Sequence, residues 1–226
     1  MIVYRVVKRF LDVAVAGAAL IVLTPILIPI VIALRFTGEG EIFYRQKRIG
    51  FGNSRFDILK FATMLKDSPN IGTGSLTVRG DPRVTRVGKY LRATKVNELP
   101  QLVNVVLGDM SLVGPRPQLE VDHESYPQHV RDAIYKVRPG VTGIGSIVFR
   151  DEEALLSAPG VEPRAFYRDQ IMPYKGALEL WYLDHKSLWT DFRIVVLTVW
   201  VVFARDSKRI YRTFKDLPPA PDWLSQ

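Results

Sequence analysis

"VAVAGAALIVLTPILIPIVIAL", residues 13–34, is a run of 22 residues without a charge. About 20 apolar residues in a helix cross the hydrocarbon core of a bilayer, so a spanning helix is the first reading. Two features oppose it. Thr24-Pro25 and Pro29 stand inside the run, and a proline within a helix removes a backbone hydrogen bond and crowds the carbonyl four residues back. Arg5, Lys8 and Arg9 precede the run and Arg35 follows it, whereas a spanning segment keeps its Lys and Arg excess on the cytoplasmic side. A re-entrant helix that enters, breaks at Thr24-Pro25 and returns leaves both cationic flanks on one side. The Thr24 hydroxyl could then satisfy a freed carbonyl at depth. The run is long for a cleaved signal peptide, and no small-residue cleavage site follows it.

This reading makes residues 1–36 a membrane anchor and 37–226 a soluble domain long enough for its own core. The chain has no cysteine, which excludes disulfides and thiolate metal sites. His123, His129 and His185 are too scattered to suggest a histidine metal motif. A net charge of +8 favours anionic partners: phosphates, acidic lipid head groups or nucleic acid. Nucleic acid ranks lowest, because no helix-turn-helix, RNP or zinc-finger pattern accompanies the charge.

"EIFYRQKRIG" (41–50) and "SRFDILKF" (54–61) read as two strands joined by a Gly-Phe-Gly-Asn turn. Residues 65–82 carry enough Gly, Pro, Ser and Asp to form a long surface loop. Two helices are expected over 84–95 and 97–107, the second with Leu99, Leu102, Val103 and Val106 on one face. Residues 128–137 and 151–157 also suit helices, and "PYKGALELWYLDHKS" (173–187) suits a helix begun by Pro173. Ile194–Ala204, flanked by Arg193 and Arg205, is too short to span. It fits a helix at the membrane interface anchored by Trp200, or equally a buried core helix. An apolar segment there also leaves room for a homodimer. The expected fold class is α+β, mainly helical: a re-entrant helix-break-helix, a short sheet and interfacial amphipathic helices.

In "TKVNELPQLVNVVLGDMSLVGPRP", residues 94–117, Asn97 is a good helix N-cap, Glu98 suits the positive helix start and Gly108 is a natural stop. The same pair can instead be a reaction centre. Arg83, Arg86, Lys89, Arg92 and Lys95 recur every third position, which spreads them around a helix rather than along one stripe. Two or three of them read as solvated surface. Arg92 and Lys95, nearest the next helix, are best placed to meet an anion.

Six blocks, "KRFLDV", "FYRQKRIG", "LKFATM", "DPRVTRVGKYLR", "NELPQLVNVVLGDMSLVGPRP" and "VRPGVTG", occur in an order that resembles the bacterial sugar transferase family, the monotopic polyprenyl-phosphate phosphoglycosyl transferases. The resemblance runs from Lys8 to Gly143 and weakens toward the C-terminus. It implies transfer of a sugar phosphate from a UDP-sugar to polyprenyl phosphate, with release of UMP, at the cytoplasmic face of the bacterial inner membrane. It also implies a re-entrant anchor broken at Thr24-Pro25 and a divalent cation, Mg2+, near Glu98 and Asn97. Lys60, Arg92 and Arg116 match the family's phosphate-binding cations. Asp191 resembles a late acid that faces the site, although capping a helix is an equal alternative.

The chain departs from that pattern at its centre. The usual dyad of the family is Asp-Glu, the Asp being the nucleophile, and Asn97 stands in its place. A carboxamide is a poor nucleophile and a weaker metal ligand, so the covalent two-step route does not simply transfer. Three explanations follow: Glu98 as nucleophile or base, direct attack by polyprenyl phosphate, or an inactive chain. "GVTGIGSIVFRDEE" (140–153) also lacks the glutamine expected near Ser146. The rival reading is a catalytically silent, membrane-bound interaction protein of a glycan assembly pathway.

Overall fold

The computed structural model describes residues 2–72, 74, 76–204 and 206–225. It is mainly helical, with two two-stranded sheets and one long apolar N-terminal helix, α1 (Ile2–Arg35). The expected interruption at Thr24-Pro25 is not found: α1 continues as one helix through both prolines. Each proline costs one hydrogen bond, and packing of the flanking turns offsets that loss. Leu20 and Leu23 on one side, and Leu27, Ile30 and Val31 on the other, lie against the domain. The Thr24 hydroxyl donates to the Leu20 carbonyl at 2.7 Å, not to that of Ile21, which Pro25 leaves without its donor.

The "KRFLDV" block docks α1. Lys8 pairs with Asp12 and with Asp191, and Arg9 donates to the carbonyls of Val105 and Val106 at 2.7 and 3.1 Å. Buried Asp12 accepts the Ser111 hydroxyl at 2.6 Å and the Leu112 N–H at 3.1 Å. Farther along, buried Leu34 packs with Phe61 and Leu91. Both ends of α1 therefore rest on the same domain, while Ile21, Val22, Ile26, Ile28 and Ile32 are exposed.

Strands β1 (Phe43–Ile49) and β2 (Arg55–Phe61) form the expected antiparallel hairpin, with Tyr44 opposite Lys60 and Arg48 opposite Phe56. The described residues of 65–82 form a loop tied down by Arg83, which is not on a helix surface. Arg83 is 3 % exposed, and its guanidinium pairs with Asp81 and donates to the carbonyls of Ser68, Ile71, Gly74 and Leu76. The loop's carbonyls have no sheet partners, and a five-donor fork satisfies several at once. Helix α2 (Arg86–Ala93) starts after Thr85, whose side chain accepts the Gly88 N–H. Helix α3 (Gln101–Leu107) stops at Gly108, φ 103°. It begins later than the pattern suggests, because a 3₁₀ turn occupies Val96–Glu98. Asn104, buried on α3, accepts the Leu59 N–H and donates to the Asp57 carbonyl, each at 2.9 Å, joining α3 to β2.

Strand β3 (Ser111–Val113) pairs in parallel with β4 (Gly140–Thr142). The pairing accounts for two glycine-rich blocks, since a Cβ on Gly140 would lie 2.1 Å from the Gly114 nitrogen and one on Gly114 would lie 2.4 Å from the Arg138 carbonyl. Along the chain follow α4 (Glu120–His123), α5 (Gln128–Ile134), α6 (Ile144–Val148) and α7 (Glu152–Leu156). Next come α8 (Pro163–Phe166), α9 (Met172–His185), α10 (Leu188–Ala204), α11 (Arg209–Thr213) and α12 (Asp222–Ser225). Pro173 stands in the first turn of α9, as its place in the sequence predicts. A π turn at Tyr167–Ile171 links α8 to α9 with helical backbone angles at Phe166, Ile171 and Met172, and such a bulge accommodates the missing N–H. The main core gathers Ile134, Ile144, Ile171, Met172, Leu178, Tyr182, Ile194 and Ile210. Helix α10 has two faces: Ile194, Leu197 and Val201 are buried in the core, while Trp189, Phe192, Val196, Val199 and Phe203 form an exposed apolar face.

Candidate active site

The chain leaves α2 through Lys95, held in the left-handed region at φ 59°. That conformation disfavours a side chain with a Cβ, and it turns the chain sharply into the Val96–Glu98 turn. Glu98 is thereby directed at β2 and at the Gly114–Pro117 segment. Arg116 donates to both Glu98 oxygens, Nη2 to Oε1 at 2.8 Å and Nη1 to Oε2 at 3.3 Å. Lys60 Nζ lies 3.5 Å from Oε1. The Glu98 side chain is 17 % exposed, so the cluster is partly desolvated.

The electrostatics follow from that crowding. Burial pushes the Glu98 carboxyl up, but Arg116, Lys60 and Lys95 together outweigh it and hold the group well below the usual carboxylate range. Burial lowers Lys60 to about 7, with Arg116 and Arg48 adding to the shift and Glu98 opposing it. Glu98 also raises Arg116 above its ordinary value, against burial. The pocket thus holds one ionised carboxylate within a larger ring of cations.

Asn97 is buried and lies inside the 3₁₀ turn, not at the N-cap of α3, a position taken by Pro100. Its Oδ1 has no hydrogen-bond partner among the described residues. The backbone of Arg116 is fixed from behind. Its N–H donates to Glu179 Oε1 at 3.4 Å, and its carbonyl accepts the Tyr135 hydroxyl at 3.0 Å. Glu179 is 2 % exposed, and burial raises it to about 7.

Lys60, Glu98 and Arg116 therefore come together, with Asn97 preceding Glu98 in the same turn. Arg92 stands nearby but pairs with Glu153 and reaches the Met64 sulfur. Asp191 is elsewhere. It accepts the Tyr4 hydroxyl at 3.0 Å, the Tyr182 hydroxyl at 2.8 Å and Lys8 at 2.9 Å, and so fastens α1 to the domain. Sequence reading missed Arg48, whose guanidinium donates to the Pro117 carbonyl at 3.2 Å and adds positive field to Lys60. Strand periodicity could have found it: with Tyr44 opposite Lys60, Tyr44, Gln46 and Arg48 share the face that carries Lys60. Glu179 had no local signal, standing in a helix that also carries Lys175, Asp184 and His185.

Cations clustered around one carboxylate, Arg116 among them in a rigid Pro-Arg-Pro segment, lie in a small domain on which an apolar helix is docked, and such a cluster suits an anion with several oxygens. The chain belongs to the bacterial sugar transferase family, whose profile matches residues 3–205. It is 38% identical over 196 residues to a UDP-glucose:undecaprenyl-phosphate glucose-1-phosphate transferase of Caulobacter vibrioides, covering 85% of this chain and 68% of that protein. A protein of the same description from Escherichia coli K12 is 34% identical over 204 residues, covering 89% of this chain and 41% of the relative. A UDP-N-acetylgalactosamine-undecaprenyl-phosphate N-acetylgalactosaminephosphotransferase of Aeromonas hydrophila is 32% identical over 199 residues, covering 87% and 44%. The chain thus spans about two thirds of the first relative and less than half of the other two.

Proposed function

We propose that this chain transfers a sugar phosphate from a UDP-sugar to polyprenyl phosphate, giving polyprenyl-diphosphate sugar and UMP, a first membrane step in glycoconjugate or exopolysaccharide assembly. The observation that carries the reading is Glu98 clamped by Arg116 and Lys60, with Arg48 and Lys95 adding positive field. A diphosphate carries dense negative charge, and stabilising that charge as it shifts is the main task of such a site.

The transfer runs in one displacement. An oxygen of polyprenyl phosphate forms a bond to the sugar-bearing phosphorus, and the bond from that phosphorus to the UMP oxygen breaks. A dianionic phosphate has no proton to lose and UMP leaves as an anion, so the step balances without a general base. This accounts for a working site with a carboxamide at Asn97. Glu98, with both oxygens occupied by cations, acts by orienting Arg116 and Lys60 toward the phosphates.

Mg2+ fits this donor set in a limited way. The unpartnered Asn97 oxygen, with whatever lone pair Arg116 and Lys60 leave free on Glu98, suits an ion that takes most of its ligands from water and substrate phosphate. When bound, it would neutralise diphosphate charge.

Residues 1–36 serve as a re-entrant anchor in the cytoplasmic face of the inner membrane, α1 bending at Thr24-Pro25 without losing its helical continuity, with residues 37–226 as the catalytic domain. A 34-residue helix is about 51 Å long if straight, well over the roughly 30 Å hydrocarbon core. Contacts from Lys8 to Leu34 with one domain support both ends lying on one side. The exposed apolar faces of α1 and α10 support burial in lipid.

Release of UMP from a panel of UDP-sugars, with polyprenyl phosphate and Mg2+, tests the proposal. No release with any sugar, restored by Asn97→Asp, would instead support the silent interaction protein.

A further inference from the structure

Away from Glu98, a groove lies between the first turns of α1, the turn of the β1–β2 hairpin and the end of α5. Three cations line it, Arg5, Arg131 and Lys136, together with Phe51, Asn53 and Asp132. Among the described residues, none of the three cations makes an ion pair. Arg131 spends one nitrogen on the Gln128 side chain at 2.6 Å, and its Nε is buried without a partner. The one acid, Asp132, is already engaged by the Gln128 amide at 2.9 Å.

Phe51 projects from the hairpin turn, 49 % exposed, with the Arg138 guanidinium 5.6 Å from its ring centre. The turn is held against α5 by the Gly52 N–H donating to the Tyr135 carbonyl at 2.8 Å. Arg5 sits in α1 among exposed Ile2, Val3, Val6 and Phe10. Unpaired cations crowded around a groove repel one another and raise the local potential for an anion. An exposed aromatic beside them suits the boundary between head groups and acyl chains.

We propose that this groove binds the phosphodiester head group of an anionic phospholipid, gripped by Arg5, Arg131 and Lys136 with Phe51 against the acyl chains. The inference rests on the membrane anchoring proposed for α1 and is independent of the chemistry at Glu98. Basic pockets beside membrane helices hold anionic head groups in this way, each cation near the surface contributing about a fivefold gain in affinity.

Native mass spectrometry of the full chain in detergent tests it with three probes: short-chain phosphatidylglycerol, short-chain phosphatidylcholine and inorganic phosphate. Soluble short-chain lipids make the readout independent of anchoring, which recovery in the membrane fraction after alkaline carbonate washing reads separately. Wild type should retain one phosphatidylglycerol in clear preference to phosphatidylcholine. Arg131→Gln with Lys136→Gln should weaken that retention by about 25-fold, two cations at about fivefold each. Lys136→Gln alone, at an exposed position, serves as the variant least able to disturb folding and should weaken it about fivefold. Equal retention of the two lipids, or unchanged retention in both variants, would overturn the proposal. Inorganic phosphate binding as tightly as phosphatidylglycerol would assign the groove to free phosphate and overturn the lipid.

Discussion

Arg116 grips both oxygens of Glu98, at 2.8 and 3.3 Å, across 18 residues of sequence. The proline on each side limits the backbone freedom of Arg116, and Glu179 and Tyr135 bond to its N–H and carbonyl. The pair is thus set before any substrate arrives. Glu98→Gln removes the charge that aligns Arg116 and Lys60 while keeping the shape. UMP release should fall by roughly a hundredfold or more, the scale of losing one pre-organised electrostatic contact. Wild-type rates in that variant would remove Glu98 from the chemistry.

Lys60 makes the site sensitive to pH. Burial, reinforced by Arg116 and Arg48, lowers its ammonium to about 7 despite the opposing pull of Glu98. The charged form, which meets phosphate, therefore predominates below that pH and is lost above it. With saturating polyprenyl phosphate, kcat/KM for the UDP-sugar should fall as pH rises through about 7, since this ratio reports the free enzyme. Lys60→Arg, whose guanidinium stays charged, should lose that limb. An identical limb in Lys60→Arg would assign the titration to another group.

Asp191 provides a contrast. Its carboxylate is occupied by Tyr4, Lys8 and Tyr182, so Asp191→Asn should loosen α1 from the domain. The melting temperature in detergent should drop by several degrees, a loss of about 1–3 kcal/mol from weakening a buried charged hydrogen-bond set. KM for the UDP-sugar should stay within about twofold, an expectation that follows from Asp191 bonding Tyr4, Tyr182 and Lys8 rather than Lys60, Glu98 or Arg116. A large KM change at unaltered stability would return Asp191 to the substrate site.

The Gly114–Gly140 contact predicts a harsher outcome. Gly140→Ala would place a methyl 2.1 Å from the Gly114 nitrogen, and backbone on both sides leaves nothing flexible to yield. The β3–β4 ribbon should open, and the chain should lose its cooperative melting transition. Retention of that transition would mean the ribbon tolerates separation.

Much of this architecture was legible because local rules governed it. Alternation and a glycine turn gave the β1–β2 hairpin, and Gly108 stopped α3 where its left-handed φ requires. The errors arose where tertiary contacts overrode local preference. Asn97 has a strong capping preference, yet the sharp turn at Lys95 places it in a 3₁₀ turn with its oxygen unpartnered. Arg83 follows the three-residue charge pattern, yet loop carbonyls distant in sequence draw it inside. Of the site, Lys60, Glu98 and Arg116 could be named from their blocks, whereas Arg48 required the strand register and Glu179 required the whole fold.

Asn97→Asp should place a second carboxylate beside Glu98. Intact-mass analysis after incubation with UDP-sugar alone should show no sugar-phosphate adduct on the wild-type chain. An adduct mapped to Glu98 would replace single displacement with a covalent route.

The most direct measurement is single-turnover UMP release from a UDP-sugar panel in the presence of Mg2+, with and without polyprenyl phosphate. At least one sugar should yield UMP in equal amount to polyprenyl-diphosphate sugar, and only when polyprenyl phosphate is present. No UMP from any sugar with the acceptor present would contradict the proposed transfer, and a stoichiometric burst of UMP without it would contradict the single-step mechanism.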